Sequence, residues 1–284
     1  MGPLHLEITV NDIEKRGIKV STSEPRPVFK ESCRTQSSVI KVVAPNNQDS
    51  LELKIERIDE KTLKFFQTHD YRAFKPREKL HTALKENTNL SDTEIENFWN
   101  CNDHLNLLIC QENIEFDEFL KNLVIEIIEN ISLNGPLCGE KLTELKIVIS
   151  ALKITSIDEP TAFTELSAMF YEAFKKALNE AELILMEPIY HTIIQLPPDY
   201  IKNTVSLLTK YSAKIKEINQ ENDYQAIIEI LLPVRHSIKF AEEIRSATSG
   251  RAFWQNEFFA FLEVPSHEAK NLINDLRFLK GLSW

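Results

Sequence analysis

The chain has 284 residues, 43% of them apolar, 27% charged and only six of them glycine, so it can bury a sizeable core and does not read as a disordered tail or a fibrous repeat. Its formal charge of −10 excludes a general nucleic-acid binder held by a broad basic surface, because such binding draws its affinity from neutralised phosphates. The N-terminus has no secretory signal, and no window approaches the ~18 apolar residues of a membrane span, so a soluble, cytoplasmic chain with no membrane partner is expected.

From Leu4 to Val10 apolar residues alternate with His5, Glu7 and Thr9, which predicts a strand with one buried face. A short helix over 11–17 and a strand over 18–22 follow, and this piece has too few apolar positions for a core of its own. Pro25 and Pro27 mark a boundary. Beyond it a strand-like run, Val28 to Val43, turns near Pro45 and returns as Leu51 to Glu56, with Leu51, Leu53 and Ile55 on one face of a hairpin.

Helical spacing appears at Lys61 to Phe66, Arg77 to Lys85 and Ser91 to Trp99, the last with Ser91 as N-cap and Glu94 three residues on. A strand over Leu105 to Cys110 precedes a long helix, whose apolar face is read as Phe116, Phe119, Leu120, Leu123, Ile127 and Ile131. Leu145 to Ile154 predicts a strand and Phe163 to Leu178 a helix, joined by a loop over 155–161 that can project towards a partner.

Pro188 is read as the start of the last unit, with strands over 189–196, 214–219, 226–232 and 252–264 and helices over 199–211 and 235–247. That order is β-α-β-β-α-β, two helices on one face of an antiparallel sheet, and a terminal helix over 266–279 follows.

Candidate chemistry is sparse. No Gly-x-x-x-x-Gly-Lys-Ser/Thr or Gly-x-Gly-x-x-Gly phosphate cradle is present, and no serine sits in a nucleophile elbow, so no enzyme activity and no catalytic or cofactor-binding residue is assigned. Cys101, His104 and Cys110 bring three soft ligands close in sequence, one short of a structural zinc set, and the four cysteines read as reduced thiols. Gly250 can close a helix in a left-handed conformation and so place Arg251 at a turn, where its guanidinium could reach a phosphate or carboxylate. Lys210, Lys214 and Lys216 form a basic cluster at a helix–strand turn.

Six segments in register carry a resemblance: Gly2-Pro-Leu-His-Leu-Glu-Ile8, Thr22-Ser-Glu-Pro25, Val28-Phe-Lys-Glu-Ser32, Gly135-Pro-Leu-Cys138, Leu185-Met-Glu-Pro-Ile189 and Gly250-Arg-Ala-Phe-Trp254. Together they resemble the C-terminal part of the elongation factor 2 and elongation factor G family, most closely its archaeal form. The resemblance implies an α+β protein: residues 1–24 as the end of domain III, 25–182 as domain IV with the ribosomal protein S5 domain 2-like fold, 183–265 as a ferredoxin-like domain V, and 266–284 as a C-terminal helix packed back on domain IV. It also implies a monomer whose partners are ribosomal RNA and the proteins of the ribosomal factor-binding site, with GTP bound only by an upstream domain absent from this chain and no cofactor in the chain itself.

Two departures alter the surfaces that the family uses. Where elongation factor 2 carries the histidine that becomes diphthamide this chain has Pro160, with Thr155 at an earlier histidine and Asp158 and Glu159 alongside. The basic turn of domain V reads Lys210-Tyr-Ser-Ala213. The expected ribosome-contact residues are therefore Lys153, Thr155, Asp158, Glu159, Pro160 and Thr161 at one tip, and Lys210, Tyr211, Lys214, Arg245 and Arg251 in the last unit. Ordinary translocation is not expected. The alternative function is a protein–protein interaction module that kept the fold.

Overall fold

The computed structural model describes residues 3–21, 26–44, 48–111, 118–155 and 159–282, and for residues 3–7 and 159–162 the backbone alone. Among the described residues it is an α+β protein with two sheets.

The opening segment corrects the sequence reading. Residues 4–10 belong to helix α1 (Pro3–Lys15), which closes at Gly17 with φ +83°, and residues 18–21 form no strand. A strand satisfies its backbone only beside another strand, and among the described residues no strand pairs with this segment. A helix closes its own hydrogen bonds, so the alternating pattern yields to it.

The run 28–43 is likewise not one strand. It splits into β1 (Lys30–Cys33) and β2 (Ile40–Val43), which join different sheets. After β3 (Ser50–Arg57) come helices α2 (Glu60–Thr68), α3 (Arg77–Asn87) and α4 (Asp92–Glu96), then β4 (Phe98–Cys101) and β5 (Leu107–Cys110). Helix α4 begins in the capping box that the sequence showed, Ser91 accepting from the Glu94 N–H and Glu94 from the Ser91 N–H. It ends earlier than expected because Phe98 and Trp99 enter β4.

Next are α5 (Glu118–Ser132), β6 (Lys141–Leu142), β7 (Leu145–Lys153) and α6 (Glu159–Glu180). The buried stripe of α5 is Leu120, Leu123, Val124, Ile127 and Ile128, so Phe119 falls one position off the inward face and is 42% exposed; Phe116 lies outside the described residues. Residues 159–161, expected as loop, open α6.

Strands β2, β3, β7, β5 and β4 form a five-stranded sheet in that order. Alternation sends Leu51, Leu53, Ile55, Ile147 and Ile149 to one face under α5 and α6, and Leu107, Ile109 and Val148 to the other under α2, α3 and α4. Each fully buried aliphatic side chain contributes roughly 1.5–3 kcal/mol. Cys110 belongs to the first core and Cys101 to the second, so the two thiols lie on opposite faces of the sheet.

The chain then forms β8 (Leu183–Leu196), α7 (Ile201–Lys210), β9 (Lys214–Gln220), β10 (Ala226–Pro233), α8 (Ser237–Ala247), β11 (Phe253–Glu263) and α9 (Ser266–Leu279). Pro188 does not start the unit but lies inside β8. One edge of β8 pairs with β1 over 183–186 and with β10 over 189–196, so Pro188 sits at the hand-over, where a residue without an N–H is tolerated. Strands β9, β10, β8 and β11 lie side by side, all antiparallel, with α7 and α8 over the core of Ile194, Ile228, Ile230, Phe240 and Ile244.

Two buried carboxylates lie on adjacent strands of the six-stranded sheet, Glu31 on β1 and Glu187 on β8. Glu31 on β1 is fully buried and accepts the N–H groups of Leu137, Cys138 and Glu140 at 2.8, 2.8 and 2.9 Å. Glu187 accepts Arg235 Nε at 2.6 Å, and Arg235 also pairs with Glu268 of α9. Helix α9 packs over Leu137, Cys138, Leu185 and Val264, and Arg277 donates to the Leu137 carbonyl at 2.7 Å, so the terminal helix lies against the 137–138 loop.

Candidate functional site

The expected contact residues fall into three places. The first is the end of β7. Lys153 is exposed and pairs in the ladder with Ser50, and Thr155 is held by its N–H donating to Asp49 Oδ1 at 2.7 Å. Asp49 is buried, so Thr155 is anchored to the end of the sheet. Asp158 lies outside the described residues, and Glu159, Pro160 and Thr161 contribute backbone to the first turn of α6.

The second place is the turn from α7 into β9. Lys210 reaches both Glu243 carboxylate oxygens at 2.6 and 2.7 Å, which raises the lysine and lowers the glutamate from their ordinary values. Its charge is shared with a carboxylate in the adjacent helix. Tyr211, expected at the surface, is a core residue: it is 5% exposed and meets the Phe240 ring edge-on with centroids 6.0 Å apart. Its planar ring belongs to the stripe that seals α7 against α8, so it positions the turn. Ser212, in a left-handed conformation at φ 53°, donates to Glu268 at 2.9 Å and ties the same turn to α9. Lys214 remains exposed.

The third place is the turn from α8 into β11. Ser249 and Gly250 both have positive φ, 51° and 74°, and the Gly250 N–H donates to the Arg245 carbonyl at 2.8 Å, closing the helix as Gly250 was expected to do. Arg251 is exposed, and the Arg245 guanidinium lies 5.3 Å from the Trp254 ring centroid.

The second and third places do not form one patch. Lys214 pairs with Leu231, which faces His191, whereas Phe253 faces Gln195 four residues further along β8. The two turns therefore cap opposite ends of the sheet, roughly 13 Å apart along the strand. Sequence reasoning missed Glu243, Trp254 and Ser212 as the partners that fix these side chains. Glu243 lies 33 residues from Lys210, and the Glu268 that holds Ser212 lies 56 residues on, so only the finished fold brings these pairs together.

Residues 184–272 match the family described as "Elongation factor G C-terminus". The whole chain aligns with elongation factor 2 of several archaea: 28% identity for Aeropyrum pernix, over 99% of this chain and 38% of that protein. The chain is similar to elongation factor 2 along nearly its whole length. The proteins of Staphylothermus marinus and Sulfurisphaera tokodaii, at 27% and 29% identity, give the same coverage of 99% and 38%. The chain thus spans about two fifths of the length of the curated relatives it matches. A crystal structure of a protein from Thermus thermophilus shares the fold, with a TM-score of 0.65 at 17% identity over 97% of this chain and 35% of the other. Among the described residues of this elongation factor 2-like chain, no helix is long and apolar enough to cross a membrane.

Proposed function

We propose that this chain is the ribosome-facing part of an elongation factor 2-like translation factor and docks at the factor-binding site of the ribosome, acting in elongation or its regulation in the cytoplasm. The observation that carries this reading is the similarity to archaeal elongation factor 2 along 99% of the chain, within a two-sheet architecture. In the finer reading the five-stranded sheet with its helices is the S5-like domain IV. The order β9-β10-β8-β11 with two helices is the ferredoxin-like domain V, to which β1 lends a strand.

The contacts are expected from Lys153 and Thr155 at one tip and from Lys214, Arg245 and Arg251 at the two ends of the second sheet. Lys210 and Tyr211 would act by holding the α7–β9 turn. Pro160 offers no imidazole for diphthamide, and Lys210 is already paired, so docking rather than ordinary translocation is the proposed role. GTP hydrolysis is assigned to a segment outside this chain, since no residue pattern here cradles a nucleotide phosphate.

The rival reading, an interaction module for another protein, draws on the net charge of −10 and the pairing of Lys210 with Glu243. Co-sedimentation with archaeal ribosomes separates the two. Docking predicts a stoichiometric, salt-sensitive pellet, and a chain left wholly in the supernatant at low salt contradicts it.

A further inference from the structure

A row of four side chains crosses one face of the six-stranded sheet. Glu263 is the ladder partner of Met186, Met186 of Lys30, and Lys30 of Lys141, and ladder partners share a face. Further along the same face Phe261 stands opposite Pro188, and beyond the bulge Phe258 stands opposite Tyr190. The Lys30 ammonium lies 4.2 Å from the Phe261 ring centroid, and Phe261 meets Phe258 edge to face at 5.6 Å. Phe258 is 55% exposed, Lys141 is exposed and Lys30 half-buried. His104 adjoins this row, because Thr143, just past β6, donates to its carbonyl at 2.8 Å.

The charges on this face are not balanced within the chain. Among the described residues Lys30 and Lys141 have no carboxylate within ion-pair distance, although acidic residues outnumber basic ones by 43 to 33 overall. The carboxylates that adjoin them are already taken: Glu263 by Arg34 at 2.6 Å and Glu144 by Arg57 at 2.9 Å. Burial holds the Lys30 ammonium below its ordinary value; Glu144 raises it in part and Lys141 lowers it further. His104 is also held low, first by burial and then by Lys141 and Lys30. Two like charges kept close, one of them half-buried, are unfavourable until an anion joins them. Exposed aromatic rings interleaved with such cations are what a flexible phosphodiester chain uses, its phosphates on the lysines and its bases on the rings.

We propose that this face binds single-stranded RNA, with Lys30 and Lys141 holding a backbone phosphate and Phe258 stacking a base. The choice of RNA as the strand rests on the reading above, whereas the site rests on its own geometry. None of the residues expected at the ribosome takes part in it.

The test is fluorescence anisotropy of a labelled RNA of about ten nucleotides with the full chain, between about 50 and 200 mM salt. Lys30→Gln/Lys141→Gln should weaken binding about tenfold or more and lower the slope of log K against log salt by about 1.4, roughly 0.7 for each lost cation. Phe258→Ala should cost about tenfold with the slope unchanged. Lys175→Gln, which removes an exposed charge on α6, should bind as the parent does. Lys141→Gln alone keeps the test interpretable should the double variant fold poorly. No binding by the parent at about 50 mM salt, or equal losses in Lys175→Gln and the double variant, overturns the proposal. Ribosome co-sedimentation of the same variants separates this site from the proposed function, because a lost RNA site with an unchanged pellet leaves docking intact.

Discussion

The Glu31 Oε1 carboxylate oxygen accepts the Cys138 backbone N–H at 2.8 Å across a sequence separation of 107 residues. Its two further donors, Leu137 and Glu140, make the carboxylate a template for the whole 137–140 loop. Burial pushes the Glu31 carboxyl up while the three N–H groups pull it down. Glu31→Ala leaves one buried and two part-buried donors without their partner, a buried one being worth about 1–3 kcal/mol, and should cost about 2–4 kcal/mol in urea unfolding. Gly135→Ala should destabilise through the same joint, because a Cβ there would collide with the Glu31 carboxylate and lie 2.8 Å from the Glu140 carbonyl oxygen. Wild-type midpoints for both variants would show that the joint is dispensable.

Arg235 ties the hand-over point of β8 to the terminal helix. Glu187 is 1% exposed, so Arg235→Met strands a buried carboxylate and should cost about 3–5 kcal/mol. Adding Glu187→Met removes the stranded charge and should recover most of that loss. A double variant no more stable than the single one would mean that the ion pair is not what Arg235 supplies.

Acid stability follows from a triad at the base of the first sheet. Lys146 Nζ lies 2.5 Å from Glu56 and 2.7 Å from Glu94, the capping-box residue of α4. Burial works to raise both carboxyls, but pairing with Lys146, helped by Lys54 at Glu56 and Ser91 at Glu94, leaves both below the usual glutamate value of 4.5. Groups with depressed folded values stabilise the protein above their unfolded pKa and lose that contribution as pH falls through the folded one. Stability should therefore drop below about pH 4.5. Lys146→Met should lower the neutral-pH plateau of the melting-temperature profile and flatten its acid limb, because burial then raises both carboxyls unopposed by the ammonium, and parallel profiles for variant and parent would refute the assignment.

The exposed cations and the buried tyrosine of the last unit should behave differently. Lys214→Glu and Arg251→Glu should each weaken ribosome pelleting several-fold with the melting temperature unchanged, since both side chains are exposed. Tyr211→Ala should instead lose about 3 kcal/mol of stability, as expected for a buried aromatic. Thermal melts run beside the pelleting assay check both halves.

Periodicity made most elements legible before the structure. Ser266–Leu279 has the expected bounds, and the capping box at Ser91 and the β2–β3 hairpin stand as read, because each is decided by residues close in sequence. The misreadings concern elements decided by distant partners. Leu4 to Val10 alternates like a strand but is helical, with no strand among the described residues beside it. Pro188 resembles a boundary, yet the change of neighbour from β1 to β10 lets a proline sit within a strand. The residues expected to make contacts do not form one surface, since the register separates Lys214 from Arg251 and pairing takes up Lys210. Glu31 and Glu187 both lay in the segments that carried the resemblance, but nothing local to them names the N–H groups or the arginine they meet.

The central claim is that this chain occupies the site on the ribosome that elongation factor 2 uses. Competition measures it most directly: labelled chain bound to archaeal ribosomes, titrated with unlabelled elongation factor 2 from the same organism as the ribosomes. Shared occupancy predicts complete displacement with a midpoint that rises in proportion to the amount of chain added. Undiminished binding at saturating elongation factor 2 would contradict it.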